Sequence, residues 1–212
     1  FCPVDHEGAI VSHQGHLAHV NLLLLDIAQN FGAARVAPPP GAFLQATVHG
    51  QDALTAAVLD AVSGEKGVDL FAGSGTFTLP LAEHYEMIAL EGEKPMIAAL
   101  DRGWREAKGL KKVDAIARDL FRRPFLPDEL AKLDFAVLDP PRAGAEAQVA
   151  ELAKSEIAQI AYVSCNPVTF ARDANVLIKA GFTLEWAQVV DQFRWSSHVE
   201  LAAKFARSHM QG

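Results

Sequence analysis

Beyond Val48 the chain alternates short apolar runs with amphipathic stretches, and few architectures bury such a pattern. HGQDALTAAVLDAVSG (49–64) reads as an amphipathic helix closed by Gly64. KGVDLFAGSG is an apolar strand running into a glycine turn, TFTLPLAEHY is helical, and MIALEGE is a second strand. KPMIAALDRGWREAKGL gives a longer helix, charged on one side, before a third strand in VDAIARDLF. LDFAVLDPPRAGA holds a fourth strand, stopped by Pro140 and Pro141. EAQVAELAKSE and residues 167–180 are helices on either side of a fifth strand, QIAYVSC. FTLEWAQVVDQF and HVELAAKFAR follow as two strands with no helix between them. The expected fold is therefore α/β: a doubly wound, mostly parallel, seven-stranded sheet covered on both faces, with an antiparallel edge strand.

The first forty residues carry no such pattern. His6, His13, His16 and His19 read either as a metal site or as a polar surface segment, and no carboxylate or cysteine partner favours metal. VNLLLLDI (20–27) is too short to span a bilayer and contains Asp26, so it reads as part of a buried helix. APPPG (37–41) breaks any helix. It divides the chain into an N-terminal segment, 1–41, and a domain, 42–212. The chain opens on Phe1 rather than Met, which reads as a fragment or a processed product.

With 212 residues, half of them hydrophobic, one compact domain with a sizeable core is expected. A net charge of −7 argues against a large phosphate footprint, though a local basic patch or a separate domain can still meet a nucleic acid. Two cysteines exclude a disulfide framework and a four-thiolate metal centre. With no secretory signal, a cytoplasmic monomer is expected, with no membrane contact and no metal.

Ligands of doubly wound sheets sit outside the carboxyl ends of the strands, so the residues that end strands carry the chemistry. DLFAGSGTF (69–77) is a strand followed by G-x-G, with Glu91 ending the next strand. A carboxylate there can accept from both hydroxyls of a ribose. Position 78 is Thr, so the third glycine of a dinucleotide fingerprint is missing. S-adenosylmethionine, which has a ribose and an adenine but no phosphate, fits better than NAD; an ordinary glycine turn is the plain alternative. Asp119 reads equally as a contact to the adenine edge or as a solvated Asp at a helix start.

In VLDPPRAGA (137–145) two prolines fix a rigid extended loop and hold Asp139 at the sheet edge. Arg142 reads as a phosphate contact, a carboxylate partner or a surface cation. Cys165 ends the next strand on the same edge. A core thiol is the simplest reading of a lone cysteine. Asn166 and Pro167 nevertheless turn the chain into a helix there, and helix N-termini stabilise thiolates. A nucleophile is thus the alternative to a buried thiol.

DLFAGSGTFTLPLA, VLDPPRAGA, YVSCNPVTFARD and DQFRWSSHVE, in this order, resemble the catalytic domain of the RNA 5-methyluridine (uracil-C5) methyltransferases. The resemblance covers residues 42–206; the DPPRAGA and SCNP pair is its specific part, the glycine loop being shared by many methyltransferases. It implies a Rossmann-like class I fold that uses S-adenosylmethionine to methylate C5 of a uridine in RNA, 23S rRNA foremost. It assigns Cys165 as nucleophile, Glu200 as base, and Asp139 as a third catalytic residue that hydrogen-bonds near the uracil or assists proton movement. Gln45, in FLQAT, falls by the cofactor and target base. Cofactor contacts are expected from Gln45, Asp69, Phe71, Gly73, Gly75, Glu91, Asp119 and Asp139. Phe193 or Trp195 reads as an RNA-stacking or a core aromatic, and His198 as a steering or surface residue.

The chain departs from the family in three ways. Residues 1–40 show no β-barrel RNA-binding domain, the cysteines cannot hold the iron–sulfur cluster of some members, and Arg194-Trp195 replaces the usual Pro-His. The alternatives are a tRNA target, an amino-methylating enzyme that does not need Cys165, and a cofactor-binding fragment without catalysis.

Overall fold

A computed structural model describes residues 28–42, 44–192 and 199–207. Cys2, to which the sequence assigns no role, and the readings on the four N-terminal histidines, on residues 20–27, and on Phe193, Arg194, Trp195 and His198 lie outside the described residues.

A hairpin, β1 (Gln29–Phe31) and β2 (Ala34–Val36), precedes helix α1 (Val48–Ala61). Then come β3 (Lys66–Leu70), α2 (Thr78–Leu81), β4 (Glu86–Glu91) and α3 (Lys94–Glu106). β5 (Val113–Ala117), α4 (Pro127–Leu130), β6 (Phe135–Leu138) and α5 (Glu146–Lys154) follow. The chain continues through β7 (Gln159–Ser164), α6 (Pro167–Lys179), β8 (Phe182–Val190) and β9 (Glu200–Arg207). The seven-stranded sheet has the order β5-β4-β3-β6-β7-β9-β8. β5 to β7 are mutually parallel, and β9 pairs antiparallel with both β7 and β8. The expected antiparallel strand is thus one place inside the edge, because β8 runs with the parallel set and β9 fills the gap between it and β7.

Alternation along each strand builds two cores. Val68, Leu70, Ala136, Leu138, Ile160 and Tyr162 point to one face, covered by α4, α5 and α6. Phe135, Val137, Ala161 and Val163 point to the other, covered by α1, α2 and α3. Both faces of the strands are apolar because both are roofed. The hairpin forms a small third cluster, in which Phe31, Ala34 and Val36 pack on Leu79 and Ala99. Neither the hairpin nor α4 is evident in the sequence, since three- and four-residue elements carry no period. The helix expected over 76–85 shrinks to Thr78–Leu81. The residues before it turn with Gly75 in the left-handed region, and His84 closes back on Leu81 O with a three-residue step.

The loop after β6 is stapled to α6. Asp173, 1% exposed, accepts from Ala145 N (2.8 Å) and the Tyr162 hydroxyl (2.6 Å) on Oδ2, and from Arg172 Nε (2.9 Å) on Oδ1. Arg172 Nη2 in turn donates to Ala143 O (3.2 Å). Gly144 threads this knot at φ 78°, where a Cβ would collide with Asp173 and Arg172. Asp173→Ala leaves a buried hydroxyl and a buried amide without an acceptor, so it is expected to cost about 3 kcal/mol. Urea denaturation checks this; a loss near zero would mean the knot contributes nothing to the fold.

Candidate active site

The crossovers up to β5 lie on one face of the sheet and those from β5 onward on the other, so a crevice opens beyond the carboxyl ends of β3 and β6. A cavity of about 730 Å³ fills it, the size of a small-molecule site.

One wall is the turn after β3. Phe71 N and Ala72 N both donate to Leu90 O at 3.0 Å, which bends the backbone sharply. Phe71 is held at φ 69°, a left-handed conformation that costs a non-glycine residue about 1–2 kcal/mol. Gly73 follows at φ 55°, and a Cβ there would meet no protein atom within 4 Å. Glu91, ending β4, accepts from Gly73 N (3.0 Å) on one oxygen and Glu93 N (2.9 Å) on the other. Each oxygen keeps a second acceptor site free for a ligand.

β5 stops at Ala117, and Asp119 lies in the turn beyond it. Its Oδ1 accepts from Phe121 N (3.0 Å) and Arg122 N (3.3 Å), an Asx-type turn that presents Phe121. The Phe121 and Phe71 rings stand 5.4 Å apart and tilted by 53°, both lining the cavity. Nothing in the sequence pattern marks Phe121 as a site residue except its position two residues after Asp119.

The opposite wall carries Asp139, Arg142, Cys165 and Glu200. Asn166 caps α6, its Oδ1 accepting from Val168 N (3.1 Å) while its Nδ2 donates to Arg142 O (2.9 Å). This ties the residue after Cys165 to the DPPRAGA loop. Ser164 pairs with Leu201 across β7 and β9, so the next step in that register sets Cys165 beside Glu200. Gln45 also lines the cavity, and its Oε1 accepts from Gln192 Nε2 at 2.8 Å. Gln192 is a second residue that the sequence reading missed, since nothing in its spacing marks it.

Asp69 and Gly75, expected at the cofactor, do not line the cavity. Gly75 packs over Leu79 and Leu100. Asp69 is fully buried; its Oδ2 accepts from Thr78 Oγ1 (2.6 Å), and its Oδ1 has no partner among the described residues. Burial pushes its pKa up to about 7, against the pull of the Thr78 hydrogen bond, with Glu91 adding to the rise. Burial, then Glu200, Asp69 and Glu91, push Asp139 up to about 8. Burial also raises Glu200, with Arg142 opposing.

Cys165 stands above its ordinary thiol value through burial, then Glu200 and Asp139, with Arg142 pulling the other way. The expected lowering by a helix start is therefore not what this site does. Cys165 precedes the cap, the Val168 amide is taken by Asn166, and two carboxyls face the sulfur. Among the described residues no cluster of His, Cys, Asp or Glu could hold a metal, and no helix is long and apolar enough to cross a membrane.

The tRNA (uracil-5-)-methyltransferase family model matches residues 39–207. An uncharacterized RNA methyltransferase of Brucella suis biovar 1 is 45% identical over 205 residues, covering 96% of this chain and 47% of that protein. The 23S rRNA (uracil(1939)-C(5))-methyltransferase RlmD of Chromohalobacter salexigens is 38% identical, covering 94% of this chain and 41% of that protein. The chain thus spans less than half the length of these relatives. Among solved structures, the Pyrococcus abyssi tRNA (uracil-54, C5)-methyltransferase in complex with S-adenosyl-L-homocysteine superposes with a TM-score of 0.74 at 28% identity. It covers 85% of this chain and 44% of that one.

Asp69 and Asp139 set a pH dependence. In the unfolded chain each releases its proton near the ordinary 3.8, but in the fold they keep it to about 7 and about 8. Their contribution to stability is complete below about pH 4 and is lost as pH rises through those values. Asp69→Asn removes one such titration, so its Tm is expected to gain on the native protein's between pH 5 and pH 8. A difference that stays constant over that range would count against a raised Asp69.

Proposed function

Since this chain belongs to the tRNA (uracil-5-)-methyltransferase family, we propose that residues 42–212 form the catalytic part of an enzyme that methylates C5 of a uridine in RNA. The observation that carries the proposal is the pairing of β7 with β9, which brings Cys165 and Glu200 together beside Asp139 in one cavity.

The residues present fit S-adenosylmethionine. Glu91 has acceptor capacity left for a ribose, Phe71 and Phe121 form an apolar wall for an adenine, and Gly73 leaves open space. Among the described residues Glu91, Glu93 and Asp119 line the cavity together with Arg142, an acidic balance that suits a positively charged cofactor and disfavours a phosphate. Asp69 and Gly75 act from beneath, by shaping the turn.

S-adenosylmethionine, when bound, supplies a methyl group on a sulfonium. Cys165 gives up its proton to solvent, bonds through Sγ to C6 of the uracil and drives an electron pair onto C5, making that carbon a nucleophile. C5 takes up the methyl group, whose donor leaves as a neutral thioether, and Glu200 then removes the original C5 hydrogen as a proton. The C5–C6 double bond re-forms, the C6–S bond breaks, and Cys165 is returned. Asp139, carrying a proton near neutral pH, donates a hydrogen bond to the base. The base must leave its stack to reach this pocket, so a flipped or single-stranded uridine is expected. Identity to the ribosomal RNA enzyme exceeds that to the tRNA enzyme, which favours 23S rRNA; the tRNA enzyme's close superposition keeps tRNA as the second reading.

Cys165→Ala is expected to abolish methyl transfer while leaving S-adenosylmethionine binding nearly intact; full activity would sink the thiolate route. Glu200→Gln is expected to accumulate a covalent RNA adduct, visible as a shifted band on a denaturing gel, and its absence would argue against Glu200 as the base. Mass spectrometry of RNA from cells lacking the gene, and from cells with the full-length gene restored, identifies the uridine.

A further inference from the structure

Gln192, two residues past the end of β8, is 8% exposed and uses both ends of its amide. Thr47 N donates to its Oε1 (3.3 Å), and its Nε2 donates to Gln45 Oε1 (2.8 Å). The fit is close: a Cβ on Gly50, in the first turn of α1, would overlap the Gln192 side chain. Thr47 itself caps α1, its Oγ1 accepting from Gly50 N at 3.0 Å.

The chemistry of these donors settles which way each amide points. A backbone N–H can only donate, so the Gln192 oxygen must face Thr47. The Gln192 NH₂ then faces Gln45, which must answer with its own oxygen. Gln45 is left with its NH₂ as the group not engaged by the described residues, and Gln45 lines the cavity. We propose that Gln192 is a positioning residue that locks the Gln45 amide with its NH₂ as donor to the cavity, so that this corner accepts a ligand oxygen and refuses an amino group.

Resting on the reading of the cavity given above, two sources offer such an oxygen: a carbonyl of the uracil and the carboxylate of the cofactor. If the base supplies it, the lock also discriminates, since cytosine carries an amine where uracil has O4. A site built around a donor loses strongly when the ligand presents a second donor.

Gln192→Glu tests the lock. An ionised carboxylate at this position only accepts. It keeps the bond from Thr47 N and takes the Gln45 NH₂, so the packing persists while Gln45 turns its oxygen to the cavity. At pH 8 the variant is expected to lose about ten- to hundredfold in one of two measurements, with an unchanged Tm. One is the dissociation constant of S-adenosylhomocysteine by calorimetry; the other is kcat/KM for methyl transfer to total RNA from a gene-deletion strain. A weakened dissociation constant assigns the oxygen to the cofactor; a raised KM for RNA at unchanged cofactor affinity assigns it to the base.

The loss is expected to shrink at lower pH, where the variant's carboxyl gains a proton and can again donate to Gln45. It is also expected to vanish in a Gln45→Ala background. Neither behaviour follows from a packing role. Unchanged binding and unchanged transfer would overturn the inference, as would a loss that tracks a lowered Tm or persists without Gln45. A native protein that binds no S-adenosylhomocysteine and methylates no uridine would instead remove the reading of the cavity, and the inference with it.

Discussion

β9 runs against every neighbour it touches, and that direction puts Glu200 at the carboxyl edge of the parallel strands, where the cavity lies. A strand of eight residues is roughly 25 Å long, so a parallel β9 would carry Glu200 to the opposite rim. A slip of one residue would be as damaging, because the side-chain period of two would turn Ala203 and Phe205 out of one core and Ala202 out of the other. The apolar alternation of β9 therefore holds the register, and the register holds Glu200 beside Cys165.

The second support is the knot of α6 with the loop after β6. Asn166, Thr169, Arg172 and Asp173 all bond to that loop, so the helix that follows Cys165 and the loop that follows Asp139 form one rigid piece. This rigidity matters because the site is electrostatically uncomfortable. Asp139, Glu200 and Cys165 are each raised by burial, and Glu200 raises both of the others. Groups that repel one another stay together only where the backbone gives them nowhere to go. A cation beside these groups favours their charged forms, so the crowding that raises them also favours a positively charged ligand.

Much of the site was legible because strand ends are legible. An apolar run that stops at a proline pair, a glycine turn or an Asn-Pro marks the carboxyl edge, and Glu91, Asp139 and Cys165 follow from it. Asp69 and Gly75 belong to the same motif, yet one lies beneath the cavity and the other packs on leucines, because a motif records which residues a turn needs and not which of them face the ligand. Phe121 and Gln192 escaped for a different reason. Each meets a partner distant in sequence, Phe71 for one and Gln45 for the other, and one chain's periodicity contains no pairings.

By itself the sequence determined the element order, the two-faced burial of the strands and the chemistry available at their ends, since hydrophobic period and turn residues act locally. Only the tertiary structure decided the inner place of β9, the placing of Cys165 and Glu200 in one cavity and the raised thiol. Those depend on which strands neighbour one another and on how much water their packing excludes, quantities that exist only once the whole sheet has closed.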